Sequence, residues 1–130
     1  MTAQSHLQIA ARLIDAVTAG NVDHLRDIYA PDAVIWHNND GITQSVDENL
    51  AVLRWVVKNI TNLRYEDIRR HATPTGFVEQ HVLRGTLPNG SALSLPACIV
   101  CTVKDGRITR LDEYFDSAQL APLLTGSQQT

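Results

Sequence analysis

At Thr61 the hydrophobic repeat of this chain changes period, and that change limits the folds open to it. Before it, Val46, Leu50, Leu53, Val57 and Ile60 recur in steps of four and three, the stripe of one helix face. After it, apolar and polar residues alternate, as on a strand with one buried face. Turn signals divide this second half at Thr75-Gly76, Asn89-Gly90 and Asp105-Gly106. The last two are strong hairpin dipeptides. The spacing predicts strands over 63–72, 77–87, 92–103 and 107–116, joined as an antiparallel meander. A short turn or helix over 119–124 follows. Pro96 inside the third of these strands implies an edge position or a bulge.

The first half reads as helices around one strand. Ser5 with Gln8 forms a capping box for a first helix, whose stripe is Leu7, Ala10, Ala11, Ile14 and Val17. Gly20 ends it at C′. Asn21 caps a second, shorter helix carrying Leu25, Ile28 and Tyr29, and Pro31 stops it. Residues 33–38 (AVIWHN) read as a strand, followed by the turn-rich NNDG. The third helix starts near Ser45 with Glu48 as capping partner. Helices gathered first and strands last indicate an α+β fold. The expected architecture is a cone: a strongly curved, mostly antiparallel sheet with three helices against its concave face, enclosing an apolar pocket. Residues 1–124 make a single domain and 125–130 a polar tail.

Composition narrows the function classes. The formal net charge is -3, so there is no basic excess to neutralise phosphates and no nucleic-acid partner is expected. No run approaches the ~18 apolar residues of a membrane span, and a cytoplasmic location is expected. Cys98 and Cys101 have the spacing of a redox or zinc half-site. On a strand, however, residues three apart point to opposite faces. Two buried free thiols are expected, and weakly a reducing compartment. The five histidines show no metal-ligand spacing, and neither a phosphate loop nor a nucleophile elbow is present. No metal and no cofactor are expected. His6, His24 and His71 lie on segments that read as exposed.

Strand alternation selects the candidate site. Leu93, Leu95, Ala97, Ile99, Cys101 and Val103 share the more apolar face and should point inward. In the last strand Thr109, Leu111, Glu113 and Phe115 share the inner face, with Ile108, Arg110, Asp112, Tyr114 and Asp116 outside. Glu113 is then a lone carboxylate among core residues, which must be paired, protonated or open to a pocket. It is the leading acid/base candidate; a rim carboxylate bridged to Arg84 or Arg107 is the plainer reading. Adjacent residues face opposite ways, so either Trp36 and Asn38 look inward or His37 does. Likewise either Gln80 and Val82 look inward or His81 does. Asn38 could orient a ligand or bond the turn backbone, and either histidine could serve as a general base.

These residues carry a resemblance. WHN in the first strand, EQHVLRGTLPNG across a hairpin and DGRITRLDEYFD at the end resemble the nuclear-transport-factor-2-like superfamily, most closely its SnoaL-like branch. The superfamily includes ketosteroid isomerases, polyketide cyclases, limonene-epoxide hydrolases, scytalone dehydratases and binding proteins without chemistry. The resemblance implies a homodimer through the outer sheet face. Against the limonene-epoxide hydrolases, Glu113 matches the last-strand aspartate and Asn38 the water-holding asparagine. Trp36 stands at the tyrosine position, Gln80 at the arginine and Val82 at the second aspartate. The electrophilic cation and its carboxylate partner are absent. The same comparison implies that Trp36, Asn38, Gln80, Val82 and Glu113 all face the pocket.

The functional expectation is a small lipophilic ligand held in the cone. The chemistry would be cofactor-free acid/base work of the isomerase, cyclase or hydrolase type. Glu113 would act on the substrate, with Gln80 and Asn38 as polarising amides and His37 and His81 as alternatives. Trp36, Val82, Leu95, Ala97, Ile99, Leu111 and Phe115 would form the walls. The alternatives are a non-catalytic ligand-binding or dimeric scaffold protein and, last, a protein-binding module using the outer sheet face.

Overall fold

The structure is a computed structural model that describes residues 2–120. Its elements run α1 (Ala3–Thr18), a 3-10 turn (Val22–Asp27), β1 (Tyr29–His37), β2 (Thr43–Gln44), α2 (Val46–Asn59), β3 (Thr61–Thr73), β4 (Gly76–Thr86), β5 (Ala92–Lys104), β6 (Arg107–Phe115) and a 3-10 turn (Ser117–Leu120). The six strands form one curved, unclosed sheet in the order β2-β1-β6-β5-β4-β3. All pairings are antiparallel except β1 with β6. The fold is α+β, as expected. Residues 121–124 of the expected terminal turn, and the tail 125–130, lie outside the described residues.

The change of period at Thr61 coincides with the junction of α2 and β3. Ser45 and Glu48 form the expected capping box: Glu48 N–H donates to Ser45 Oγ, and Ser45 N–H to the Glu48 carboxylate. The carboxylate's bonds to Ser45 hold Glu48 below the ordinary carboxylate range. The first helix starts earlier than expected. Thr2 is its N-cap, and Ser5 is the reciprocal partner three residues on, not the cap itself. The stripe of α1, centred on Ile9, Ala10, Leu13, Ile14 and Val17, packs on the concave face at β3 and β4. Gly20, at φ 75, takes the left-handed C′ position.

Three local readings are corrected. The segment after Asn21 is a 3-10 turn without a side-chain cap, and Tyr29 begins a strand. Ile108 N–H donates to Ile28 C=O at 2.9 Å, so pairing with β6 captures the chain before a helix can extend. Pro31 falls where the β1–β6 register shifts between Tyr29 and Val34, so its missing N–H breaks no regular ladder. Ile108 is fully buried, not outward-facing, because the β5–β6 register shifts after Thr102 and sets Ile108 opposite Val103. Pro96 lies one residue beyond the pairing of β5 with β6, an edge position as expected, although β5 itself is central.

Both expected hairpin turns form. Asp105 and Gly106, at φ 52 and 78, have the two positive φ values of a type I′ turn. Gly76, which follows the β3–β4 turn, has no room for a side chain. A Cβ there would lie 2.0 Å from the Cys101 carbonyl oxygen. Gly76→Ala must therefore push β4 off β5, and a loss of about 3 kcal/mol is expected. A urea unfolding midpoint lowered at unchanged slope would report it.

Candidate functional site

A cavity of about 330 Å³ opens between the concave sheet face and helices α1 and α2. That volume is at the lower end for small-molecule pockets. Its walls are mostly aliphatic, with Leu53, Val56, Leu83, Leu95, Ile99 and Leu111 among them. Leu95, Ile99, Leu111, Glu113 and Phe115 of the sequence candidates line it. Ala97 shares their face but does not reach the cavity.

Two strands resolve their open alternatives in the histidines' favour. In β1, Ala33 and Ile35 are buried, which places His37 on the same face. In β4, Phe77, Glu79 and His81 are buried, so Gln80 and Val82 point to the convex side. The parity implied by the limonene-epoxide hydrolases is therefore corrected: Trp36, Gln80 and Val82 do not face the cavity. Trp36 packs on Tyr114 across the convex face, ring centroids 5.3 Å apart. Gln80 and Val82 join Pro96, Cys98 and Tyr114 in a broad groove there. The physical reason is that the convex face is also apolar, so Phe77 and Ile35 decide the parity by burying completely.

Asn38 has a different task from either expected one. Its amide Nδ2 donates to Phe115 C=O and its Oδ1 accepts from Phe115 N–H, both at 3.0 Å. The side chain thus extends the β1–β6 ladder beyond His37 and fixes the end of β6. The cysteines are also partly corrected. Cys101 is buried on the inner face, its thiol pushed well up by burial, whereas Cys98 is only half-buried outside. His6 is buried as well, its Nδ1 3.2 Å from Thr73 C=O, where exposure was expected.

The polar groups of the cavity derive from one row across the sheet. The register places Arg70 beside Glu79, Glu79 beside Ile99, Ile99 beside Glu113, and Glu113 beside His37. Glu113 Oε1 meets His37 Nε2 at 3.1 Å, so its partner is neither Arg84 nor Arg107. Its Oε2 has no hydrogen-bond partner among the described residues, and Glu113 lines the cavity. His81, two residues from Glu79 and on the same face, sets Nδ1 2.5 Å from Glu79 Oε2. Its Nε2 has no partner among the described residues; His81 and Tyr65 both line the cavity, and His81 also borders the convex groove. The Tyr65 ring stands edge-on to His81 at 4.8 Å. Burial first, then the Glu113 and Glu79 carboxylates, push the Tyr65 phenol far above its usual range, so it stays a hydrogen-bond donor. Tyr29 is likewise kept protonated by burial and donates to Asn49 Oδ1 at 3.4 Å.

Glu79, Tyr65 and Arg70 were missed as site residues. Glu79 and His81 were findable: a carboxylate two residues before a histidine on a strand must share its face. Arg70 was not, since only the β3–β4 register brings it there.

The His37–Glu113 pair has a pH signature. The hydrogen bond that His37 donates to Glu113 raises the His37 pKa above the ordinary imidazole value against an opposing desolvation, with Asp40 a smaller raising influence. A raised folded value means the pair's stabilisation is complete below the unfolded pKa of about 6.5 and is lost as pH rises through the folded value. Imidazole NMR titration should find His37 above ordinary histidines, and Glu113→Gln should return it downward.

The comparisons agree with this architecture. A candidate polyketide cyclase of Xanthomonas campestris is 20% identical over 93% of this chain and 97% of its own, with a TM-score of 0.82. A nuclear-transport-factor-2-like protein of unknown function from Burkholderia pseudomallei is 23% identical over 96% and 99%, TM-score 0.81. A Catenulispora acidiphila protein with a ketosteroid isomerase-like fold, in complex with trimethylamine, is 14% identical over 88% and 90%, TM-score 0.77. These likenesses show a shared fold. No curated protein matches the sequence. Residues 10–111 match the SnoaL-like domain, most of the chain's length, and the protein belongs to that family.

Proposed function

We propose that the cavity binds a small lipophilic carbonyl compound and moves a proton on it, in a reaction of the isomerase or cyclase type. The observation that carries this reading is Glu113: a carboxylate lining a mostly apolar cavity, held at one oxygen by His37 and without a partner among the described residues at the other. That second oxygen would take a proton from a carbon next to the carbonyl. The C–H electron pair then moves into the enolate, whose oxygen accepts from the Tyr65 phenol. Proton return from Glu113 to another carbon gives an isomer; attack of the enolate carbon on a second carbonyl of the same molecule closes a ring, the resulting alkoxide taking the proton back from Glu113. Family membership and the candidate polyketide cyclase among its structural neighbours support this reaction class. Gln80 is withdrawn from the polarising role because it faces the convex side, and Asn38 because its amide is engaged by Phe115.

The test is hydrogen–deuterium exchange at enolisable positions of small lipophilic ketones and 1,3-diketones, followed by NMR in heavy water. Exchange above the buffer rate that vanishes in Glu113→Gln supports the proposal. Saturable binding of these probes with exchange at the buffer rate favours a ligand-binding protein instead.

A further inference from the structure

Glu79 is fully buried, yet it touches no part of the cavity that a ligand could reach. It lies between two donors. Arg70 Nε, from the edge strand β3, donates to Oε1 at 2.5 Å, and His81 Nδ1 meets Oε2 at the same distance. Arg70 is only partly exposed, so the guanidinium spans from the surface to the buried carboxylate. An ionised carboxylate at such a site needs a balancing charge, and Arg70 supplies it without a proton on the second histidine nitrogen. Carboxylate oxygens accept only, so Glu79 can bond His81 only through Nδ1–H.

The geometry points to Glu79 as a positioning residue that holds His81 as the Nδ1–H tautomer, with the Nε2 lone pair directed into the cavity. The inference deepens the proposed function: it adds a neutral acceptor to the Glu113 carboxylate in one apolar space. The substrate class is narrowed accordingly. The ligand presents a second proton donor, an enol or hydroxyl O–H, to His81 Nε2, while Glu113 faces the acidic carbon. Tyr65, packed edge-on against the imidazole, keeps the ring plane from turning. Arg70 reaches only Oε1, so Oε2 is left to His81 Nδ1–H.

The test requires no ligand. Long-range proton–nitrogen correlation spectra of nitrogen-15-labelled protein at pH 8 report which ring nitrogen of His81 is protonated. The expected result is protonated Nδ1 and bare Nε2. In Glu79→Gln, Arg70 can only donate and so claims the amide oxygen, which leaves the NH₂ facing His81. Nδ1 must then accept, and the spectrum should show the reversed tautomer with Nε2 protonated. Exchange on a 1,3-diketone, whose enol O–H needs Nε2 as its acceptor, should fall about 10–10²-fold in the same variant, because a protonated Nε2 no longer accepts. A bare Nδ1 in the wild type, or an unchanged tautomer in Glu79→Gln, overturns the inference. If Glu79→Gln does not fold, the wild-type spectrum still decides. The expected tautomers with no exchange on any ketone would support the positioning role and remove the proposed function.

Discussion

Glu113→Gln is expected to slow proton exchange on an accepted ketone by about 10²–10⁴-fold, which corresponds to roughly 3–5 kcal/mol of transition-state stabilisation. The replacement preserves shape and leaves an amide oxygen to accept from His37, so the fold and the ligand walls stay in place. What it removes is the oxygen that accepts the proton. The loss should therefore fall on the turnover rate, with ligand affinity changed little, since the apolar lining of Leu95, Ile99, Leu111 and Phe115 is untouched. Affinity measured by titration and rate measured by deuterium incorporation separate the two. A rate within threefold of wild type would exclude Glu113 as the base and leave His81 as the acceptor facing the substrate.

Arg70→Ala is expected to be among the most damaging single changes for stability, costing about 3–5 kcal/mol. The guanidinium is 24% exposed, but its partner carboxylate is 0% exposed. Removing the cation leaves a buried negative charge with the His81 imidazole as its only remaining partner among the described residues. Adding Glu79→Gln should then recover much of the loss, because the uncompensated charge goes with it. The two changes should be strongly non-additive, as expected of residues in one network. Urea unfolding of both singles and the double measures the coupling. A cost below about 1 kcal/mol for Arg70→Ala, the level of an exposed ion pair, would show that Glu79 does not depend on Arg70. The surface pairs offer a contrast. Arg54 holds the Asp23 carboxyl below its usual range, but both side chains stand in solvent, and removing either should change stability little.

The sequence alone was enough for the α+β class, the stripe of α2 and its Ser45–Glu48 box, the meander with its two glycine hairpins, and the inner row of β5. These are local properties: a period, a cap or a turn is decided by residues a few positions apart. The inward direction of Glu113 was legible for the same reason, since Leu111 and Phe115 flank it at strand spacing. In β1 and β4 the alternation was ambiguous, because Val34 and Trp36 compete with Ala33 and Ile35, and Val78 and Val82 with Phe77 and Leu83. Both faces of the sheet are apolar there, and a period of two cannot say which one the helices cover. Packing resolved this. Ile35 and Phe77 bury completely under the helices, Trp36 finds Tyr114 outside, and His37 and His81 turn inward with them. The partners of the two carboxylates were decided at the same level. His37 reaches Glu113 through a parallel pairing between the first strand and the last, and Arg70 reaches Glu79 across β3 and β4. Such contacts depend on strand order and register, which no local pattern encodes, and they determine which polar groups share the cavity.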